Sequence, residues 1–171
     1  MKILFRNAKI LDLTKEKGYF CGSVVVEEDL ITYVGEKEPR MAVDKVIDVQ
    51  GNILMPGFVN AHAHTPMTLL RGAKDDCCLD TWLNEGVWPL EAKMTNEDVY
   101  WGQMLGIAEY VRAGITTFDD FYFHYDGMCR AINKAGIRAR FCVAVSISSP
   151  PNANFSDTCL AASVSEIVIR I

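Results

Sequence analysis

The second half of the chain twice repeats the order helix, glycine, apolar strand. Both helices are predicted from apolar residues at the i, i+3, i+4, i+7 spacing of a core-facing stripe: Met104, Ile107, Ala108 and Val111, then Met128, Ala131, Ile132 and Ala135. Thr95, with an acidic residue three positions later, is predicted to cap the first helix. Gly114 and Gly136 end the two helices, and apolar strands follow at 115–118 and 137–145. Strands alternating with helices form parallel βαβ units, so the sequence predicts an α/β fold.

Short strands are predicted before this repeat, at 3–5 with 8–10, at 23–27, at 30–34 and at 45–49. Their spacing is typical of a small antiparallel sheet or sandwich, with a tight turn at Glu28 and Asp29. A buried strand is predicted at 54–61. The predicted organisation is a β-sandwich segment at 1–54 and an α/β segment at 55–171, which closes with a helix at 158–171.

Composition narrows the class of protein. The hydrophobic fraction is 50% and the net charge is −5, so the chain can bury a core and lacks the positive surface that binds nucleic acids. No apolar run approaches the length of a membrane span, and the N-terminus becomes polar too soon for a signal peptide. The six cysteines are therefore predicted to be reduced, mostly buried thiols in a cytoplasmic protein that binds neither membranes nor nucleic acids.

Two histidines, His62 and His64, follow the predicted strand at 54–61. Side chains at positions i and i+2 of an extended strand point to the same face. An isolated His-x-His pair is also compatible with polar residues that bind nothing, but the Pro-Gly break and apolar strand before this pair favour a metal site. At the carboxyl end of a parallel strand, two such imidazoles can share one zinc ion or another first-row divalent metal.

Three other polar residues follow the strand predicted at 115–118. His124 is predicted to cap or pack against a neighbouring element rather than to bind a metal. Asp119 and Asp120 are predicted to lie in a loop at the strand end, as turn residues or as residues that support a ligand without binding the metal.

The segment 55–68 resembles the first-strand signature of the amidohydrolase superfamily. Three further segments, 69–72, 82–83 and 88–91, resemble its branch of 5-methylthioadenosine/S-adenosylhomocysteine deaminases and triazine chlorohydrolases, and 113–118 is similar to the second barrel strand of that branch. The resemblance implies a partial (β/α)₈ metal-dependent hydrolase barrel of the TIM type. The β-sandwich segment that precedes it would be the N-terminal share of a composite domain.

The resemblance also implies a chemistry. His62 and His64 would bind one zinc ion per site, together with a later histidine and a late aspartate, and the metal would activate water to attack C6 of an adenine nucleoside with loss of ammonia. Glu91 matches the family's acceptor for ribose hydroxyls. Trp82 and Trp88 would form an apolar wall for the nucleoside, with core packing as the alternative. The implied partner is a small-molecule nucleoside.

In this family the other metal ligands and the proton-shuttling glutamate lie beyond Ile171. No catalytic residue is therefore expected within the chain, which is expected to be inactive on its own. The branch often has an arginine on the third strand, where this chain has 141–145. Because of this difference, guanine deaminase and triazine chlorohydrolase stay open as alternative activities. A non-catalytic remnant is a separate alternative. The uncovered strand edges of a partial barrel predict self-association into a homo-oligomer.

Overall fold

A computed structural model describes residues 1–13 and 18–143. The helix predicted at 158–171 lies outside these residues. The chain divides into two compact units, one covering Met1–Gly57 and one beginning at Phe58.

The first unit contains a five-stranded sheet with the order β3-β2-β1-β4, in which β5 also pairs with β1. The strands are β1 (Lys2–Ile10), β2 (Phe20–Glu27), β3 (Leu30–Gly35), β4 (Lys45–Asp48) and β5 (Ile53–Leu54). The predicted turn is present, and Glu28 adopts a left-handed conformation with φ of 54°. Buried Ala8, Ile10 and Val24 form the apolar cluster of this sheet.

The prediction of an antiparallel sheet is confirmed for β1, β2 and β3 but wrong for β4 and β5. Although β1 pairs antiparallel with β2, both β4 and β5 run parallel to β1. The connection 36–44 carries the chain from β3 to the opposite side of β1, so β4 returns in the direction of β1 rather than as the next arm of a hairpin. Whether the sheet belongs to a sandwich stays a prediction.

The second unit contains the predicted βαβ pattern. Three strands, β6 (Phe58–Ala63), β7 (Ile115–Tyr122) and β8 (Arg138–Val143), form a parallel sheet in the order β6-β7-β8. Between β6 and β7 lie a 3₁₀ helix (Thr65–Leu70), α1 (Leu79–Thr81), a π-helix (Trp82–Val87), α2 (Trp88–Glu91) and α3 (Asn96–Arg112), and α4 (Tyr125–Ala135) joins β7 to β8. The core of this unit lies where α3 and α4 cover β7, around Ile107, Phe118, Ala131, Ile132, Ile137 and Ala139.

The predicted start and end of α3 and the predicted end of α4 are confirmed. Thr95 accepts a hydrogen bond from the Asp98 N–H, and the Asp98 carboxylate accepts one from the Thr95 N–H at 2.8 Å, which completes a capping box. Gly114 follows α3 with φ of 79°, and Gly136 caps α4 with φ of 68°. Glycine adopts this left-handed conformation without the penalty that a Cβ imposes, so both helices end where the sequence indicates.

The predicted stripe on α3 is partly wrong. Ile107 is buried, but Val111 is 62% exposed. The buried face of α3 consists instead of Val99, Gly102, Gln103, Gly106 and Ile107. These positions have helical spacing, but two glycines and a glutamine add little to an apolar pattern, so hydrophobicity alone places the stripe wrongly.

The strand predicted at 54–61 begins later and is not buried. Phe58 is 57% exposed and Val59 is 66% exposed. Among the described residues, β6 pairs with β7 alone, so its other edge is open. Other described residues therefore leave the apolar side chains of Phe58 and Val59 largely uncovered.

The cysteines are less buried than predicted. Cys21, Cys77 and Cys78 are exposed, and Cys129 is partly buried. All four are free thiols, as predicted. Within the described residues, no helix combines the length and the apolar character that crossing a membrane requires.

Candidate metal centre

The carboxyl end of β6 places two histidines on one face. His62 and His64 are exposed, whereas Ala63 between them is buried, as expected for side chains that alternate across a sheet. Their ring centroids lie 5.0 Å apart, with the ring planes at 77°. The two imidazoles thus lie close together on one side of the strand. Among residues 1–13 and 18–143, no cluster of three or more His, Cys, Asp or Glu side chains is placed to hold a metal.

A backbone contact from β7 orients the ring of His64. Its Nδ1 lies 2.7 Å from the carbonyl oxygen of Phe121. A carbonyl oxygen only accepts hydrogen bonds, so Nδ1 carries the proton and Nε2 keeps its lone pair. Ligating histidines ordinarily donate their second ring N–H in this way, which fixes both the tautomer and the orientation of the ring. The Nε2 of His64 therefore takes no part in this hydrogen bond.

The segment after His64 is packed tightly against α3. The 3₁₀ helix Thr65–Leu70 contacts α3 at Gly102 and Gly106, where an added Cβ would lie 2.5 Å from the Pro66 carbonyl oxygen and 2.2 Å from Thr65 Cγ2. The Thr68 hydroxyl donates to the Gly102 carbonyl at 2.7 Å. The hydroxyls of Thr65 and Tyr110 share a hydrogen bond of 2.9 Å. The two glycines let the backbone after His64 approach the helix at a distance that no other residue permits.

Glu91, at the end of α2, is partly buried and accepts a hydrogen bond of 2.7 Å from the Tyr122 hydroxyl. Burial raises the pKa of the Glu91 carboxyl above its ordinary value, and the hydrogen bond from Tyr122 and the nearby His64 oppose that shift only in part. Burial and the adjacent Glu91 also raise the pKa of Tyr122 well above its usual range. His64, but not His62, thus contributes to the pKa of the Glu91 carboxyl.

The two tryptophans differ in exposure. Trp88 begins α2 and is 39% exposed, whereas Trp82 in the π-helix is partly buried. The exposed ring of Trp88 leaves surface for a ligand.

Three of the other polar residues have defined positions. His124 is the N-cap residue of α4 in a left-handed conformation, and its side chain makes no capping hydrogen bond. Its carbonyl accepts the Gly127 N–H at 3.0 Å, so the predicted capping role is performed by the backbone. The prediction of a loop at Asp119 and Asp120 is wrong, because both lie within β7, which extends to Tyr122.

Several contributors to the site have no sequence signature. The Phe121 carbonyl is a backbone group, and the Tyr122 hydroxyl reaches Glu91 across 31 positions of the chain. Arg71 donates from both terminal nitrogens to the Glu109 carboxylate, at 2.7 and 2.5 Å, which lowers the pKa of Glu109. This ion pair and both histidines line a cleft of about 260 Å³. These partners lie 31 to 57 positions apart in the chain, so no local sequence pattern could have indicated them.

Comparison with known proteins connects this geometry to a family. A sequence profile of the amidohydrolase family matches residues 53–169. The 5'-deoxyadenosine deaminase of Methanobrevibacter smithii is 45% identical over 137 residues, covering 80% of this chain and 31% of the relative. The 5-methylthioadenosine/S-adenosylhomocysteine deaminase of Syntrophomonas wolfei is 45% identical over 145 residues, covering 81% of this chain and 33% of the relative. The chain thus spans about a third of the length of the curated relatives it matches.

A solved structure shows the same fold. An adenosine deaminase from Xanthomonas campestris, crystallised with bound zinc, superposes with a TM-score of 0.74 at 34% identity, covering 81% of this chain and 33% of that chain. The profile match includes β6, both histidines and the whole βαβ region. The chain belongs to the amidohydrolase family.

Proposed function

We propose that the chain is part of a zinc-dependent hydrolytic deaminase that acts on adenine nucleosides of the 5-methylthioadenosine/S-adenosylhomocysteine type. The observation that carries this proposal is the histidine pair at the carboxyl end of β6, with the Nδ1 of His64 bound by the Phe121 carbonyl and its Nε2 left for a metal. The names of the relatives supply the substrate class.

The donor set fits zinc. His62 and His64 would bind the ion through imidazole nitrogens, which are common zinc ligands. A catalytic zinc ordinarily has three protein ligands, so further ligands have to come from outside the described residues. The bound ion would supply a Lewis acid that lowers the pKa of water and polarises the substrate.

The described residues also suggest how a nucleoside is bound. We propose that the Glu91 carboxylate accepts hydrogen bonds from ribose hydroxyls, because a carboxylate has more acceptor sites than the Tyr122 hydroxyl occupies. Tyr122 would hold that carboxylate in place, and the exposed face of Trp88 would contact the apolar part of the nucleoside.

The wider assignment follows from the same resemblance. We propose that residues 1–54 belong to a composite β-sandwich and that 55–171 form the first part of a (β/α)₈ barrel. The proposed enzyme is cytoplasmic, takes a small-molecule substrate without binding nucleic acid or membrane, and self-associates through strand edges that this part of the barrel leaves uncovered.

A chimaera tests the proposal. Residues 1–143 would replace the corresponding segment of the Syntrophomonas wolfei relative, and deamination of 5-methylthioadenosine would be followed by ammonia release. We expect activity that is lost in the His64→Ala chimaera and kept in the His124→Ala chimaera, which removes a histidine side chain at the N-cap position of α4. An inactive but folded chimaera that binds zinc would overturn the assignment of substrate, whereas one that binds no zinc would overturn the metal site.

A further inference from the structure

Asp120 is a buried carboxylate on the face of β7 that points away from the histidines. It is 1% exposed and lies opposite Ala63 in the β6–β7 register. Ala63 is buried, whereas His62 and His64 on either side of it are exposed. The Asp120 side chain therefore lies behind the strand that carries the histidines, towards α3, and does not itself face the metal.

Asp120 accepts hydrogen bonds from two backbone N–H groups close to His64. Its Oδ1 accepts the backbone N–H of Thr65 at 3.1 Å and that of Phe121 at 2.9 Å. Thr65 follows His64 in the chain, and Phe121 provides the carbonyl that binds His64 Nδ1. One carboxylate oxygen thus binds the two backbone positions that determine where the imidazole lies and how it is turned.

We propose that Asp120 is a positioning residue for His64, which holds the backbone of β6 and β7 so that the Nδ1–H bond to Phe121 forms and Nε2 is presented to the metal. This inference deepens the proposed function, since it assumes that His64 binds a metal. Oriented supports of this kind commonly change metal affinity or activity 10–100-fold when they are removed.

The neighbouring glutamine supports a requirement for a carboxylate. Asp120 Oδ2 accepts the Gln103 Nε2–H at 3.0 Å, and Gln103 is fully buried. In the described part of the chain, Gln103 Oε1 is a buried oxygen with no hydrogen-bond partner. A carboxylate offers only acceptors, so it obliges Gln103 to turn its NH₂ group inward and to leave that oxygen unpaired. This orientation leaves Gln103 Oε1 without a hydrogen bond and provides a donor for Asp120 Oδ2.

The test uses zinc titration and ¹⁵N-imidazole NMR on the 171-residue chain. The wild type should show His64 as the Nδ1–H tautomer, and the amide protons of Thr65 and Phe121 should exchange slowly. Asp120→Ala should give a mixture of His64 tautomers and a zinc Kd raised about tenfold or more. Asp120→Asn keeps one acceptor oxygen without the charge, so its Kd should rise less, by about threefold. Glu97→Gln, which removes the charge of an exposed carboxylate in the first turn of α3, should leave both readouts unchanged.

The outcomes separate this inference from the proposed function. If Asp120→Ala does not fold, the tautomer of His64 in Asp120→Asn decides. Wild-type tautomer and zinc affinity in every folded Asp120 variant would overturn the inference, as would fast exchange of both amides in the wild type. A tautomer change in a protein whose chimaera lacks deaminase activity would support the positioning role and reject the proposed substrate.

Discussion

The two long helices of the second unit cover the same strand with different surfaces. α4 buries mainly apolar side chains, those of Met128, Ala131 and Ile132, together with Gly127. α3 also contributes apolar residues, but at its centre it presents Gly102, Gln103 and Gly106 to the 3₁₀ helix and to Asp120. Apolar burial stabilises a fold without fixing the direction of any one polar group, whereas close backbone contact and buried hydrogen bonds do fix direction. We therefore infer that α4 mainly stabilises the sheet and that α3 in addition positions the segment after His64.

The largest expected effect is on α4. Ile132 is 2% exposed within the apolar cluster around Phe118, so Ile132→Ala should lower the free energy of unfolding by about 2–5 kcal/mol. Chemical denaturation measures the loss, and Leu105→Ala, at a position 44% exposed on α3, is the matched control with a change within about 0.5 kcal/mol. The folded variant should keep the His64 tautomer of the wild type. A changed tautomer would show that α4 also positions the site.

A smaller loss of stability, with a change at the site, is expected on α3. In Gly102→Ala the new Cβ would lie 2.5 Å from the Pro66 carbonyl oxygen, and backbone cannot move aside as a flexible side chain does. The variant should lose about 1–3 kcal/mol and alter the His64 resonances. Ala108→Gly, at an exposed position of the same helix, is the control: it measures only the difference in helix propensity between alanine and glycine, about 1 kcal/mol. Stabilisation of Gly102→Ala by a similar amount would contradict the close contact.

The N-termini of the two helices provide a third comparison. Thr95 caps α3 with its side chain, whereas the His124 side chain makes no capping bond to α4. Thr95→Ala should therefore cost about 1 kcal/mol. His124→Asn should change stability by less than about 0.5 kcal/mol, because asparagine also tolerates the left-handed conformation. Equal losses in thermal unfolding would mean that the imidazole of His124 stabilises α4 by a contact other than capping.

The same contrast explains how much of the structure could be predicted from the sequence. Signals that act over a few residues were sufficient for the capping box at Thr95, for the ends of the helices at Gly114 and Gly136, and for the shared face of His62 and His64. The packing face of α3 was misplaced because glycine and glutamine carry no apolar signal, although Gly102 and Gly106 make close contacts with the 3₁₀ helix.

Long-range features could not be predicted for a related reason. The parallel pairing of β4 with β1 depends on where the connection 36–44 leads, and no local pattern specifies that path. The bond from His64 to Phe121 uses a backbone carbonyl, which every residue has. The sequence therefore located the histidine pair, but the groups that orient it became visible only in the folded chain.

The last expected effect, of the same size as that of Thr95→Ala, concerns Tyr122, which lies in an apolar cluster with Val99 of α3 and Met128 of α4. Tyr122→Phe keeps this packing and removes the hydrogen bond to Glu91, at a cost of about 1 kcal/mol. That bond favours the charged carboxylate, so its loss should raise the pKa of Glu91 further above its ordinary value. A carboxyl with a raised pKa binds more protons in the folded than in the unfolded chain, so stability falls as the pH rises from the unfolded value to the folded one. The variant should extend this range to higher pH. An NMR titration of the Glu91 carboxyl measures the shift, and a pKa that moves down would mean that water replaces the Tyr122 hydroxyl as donor.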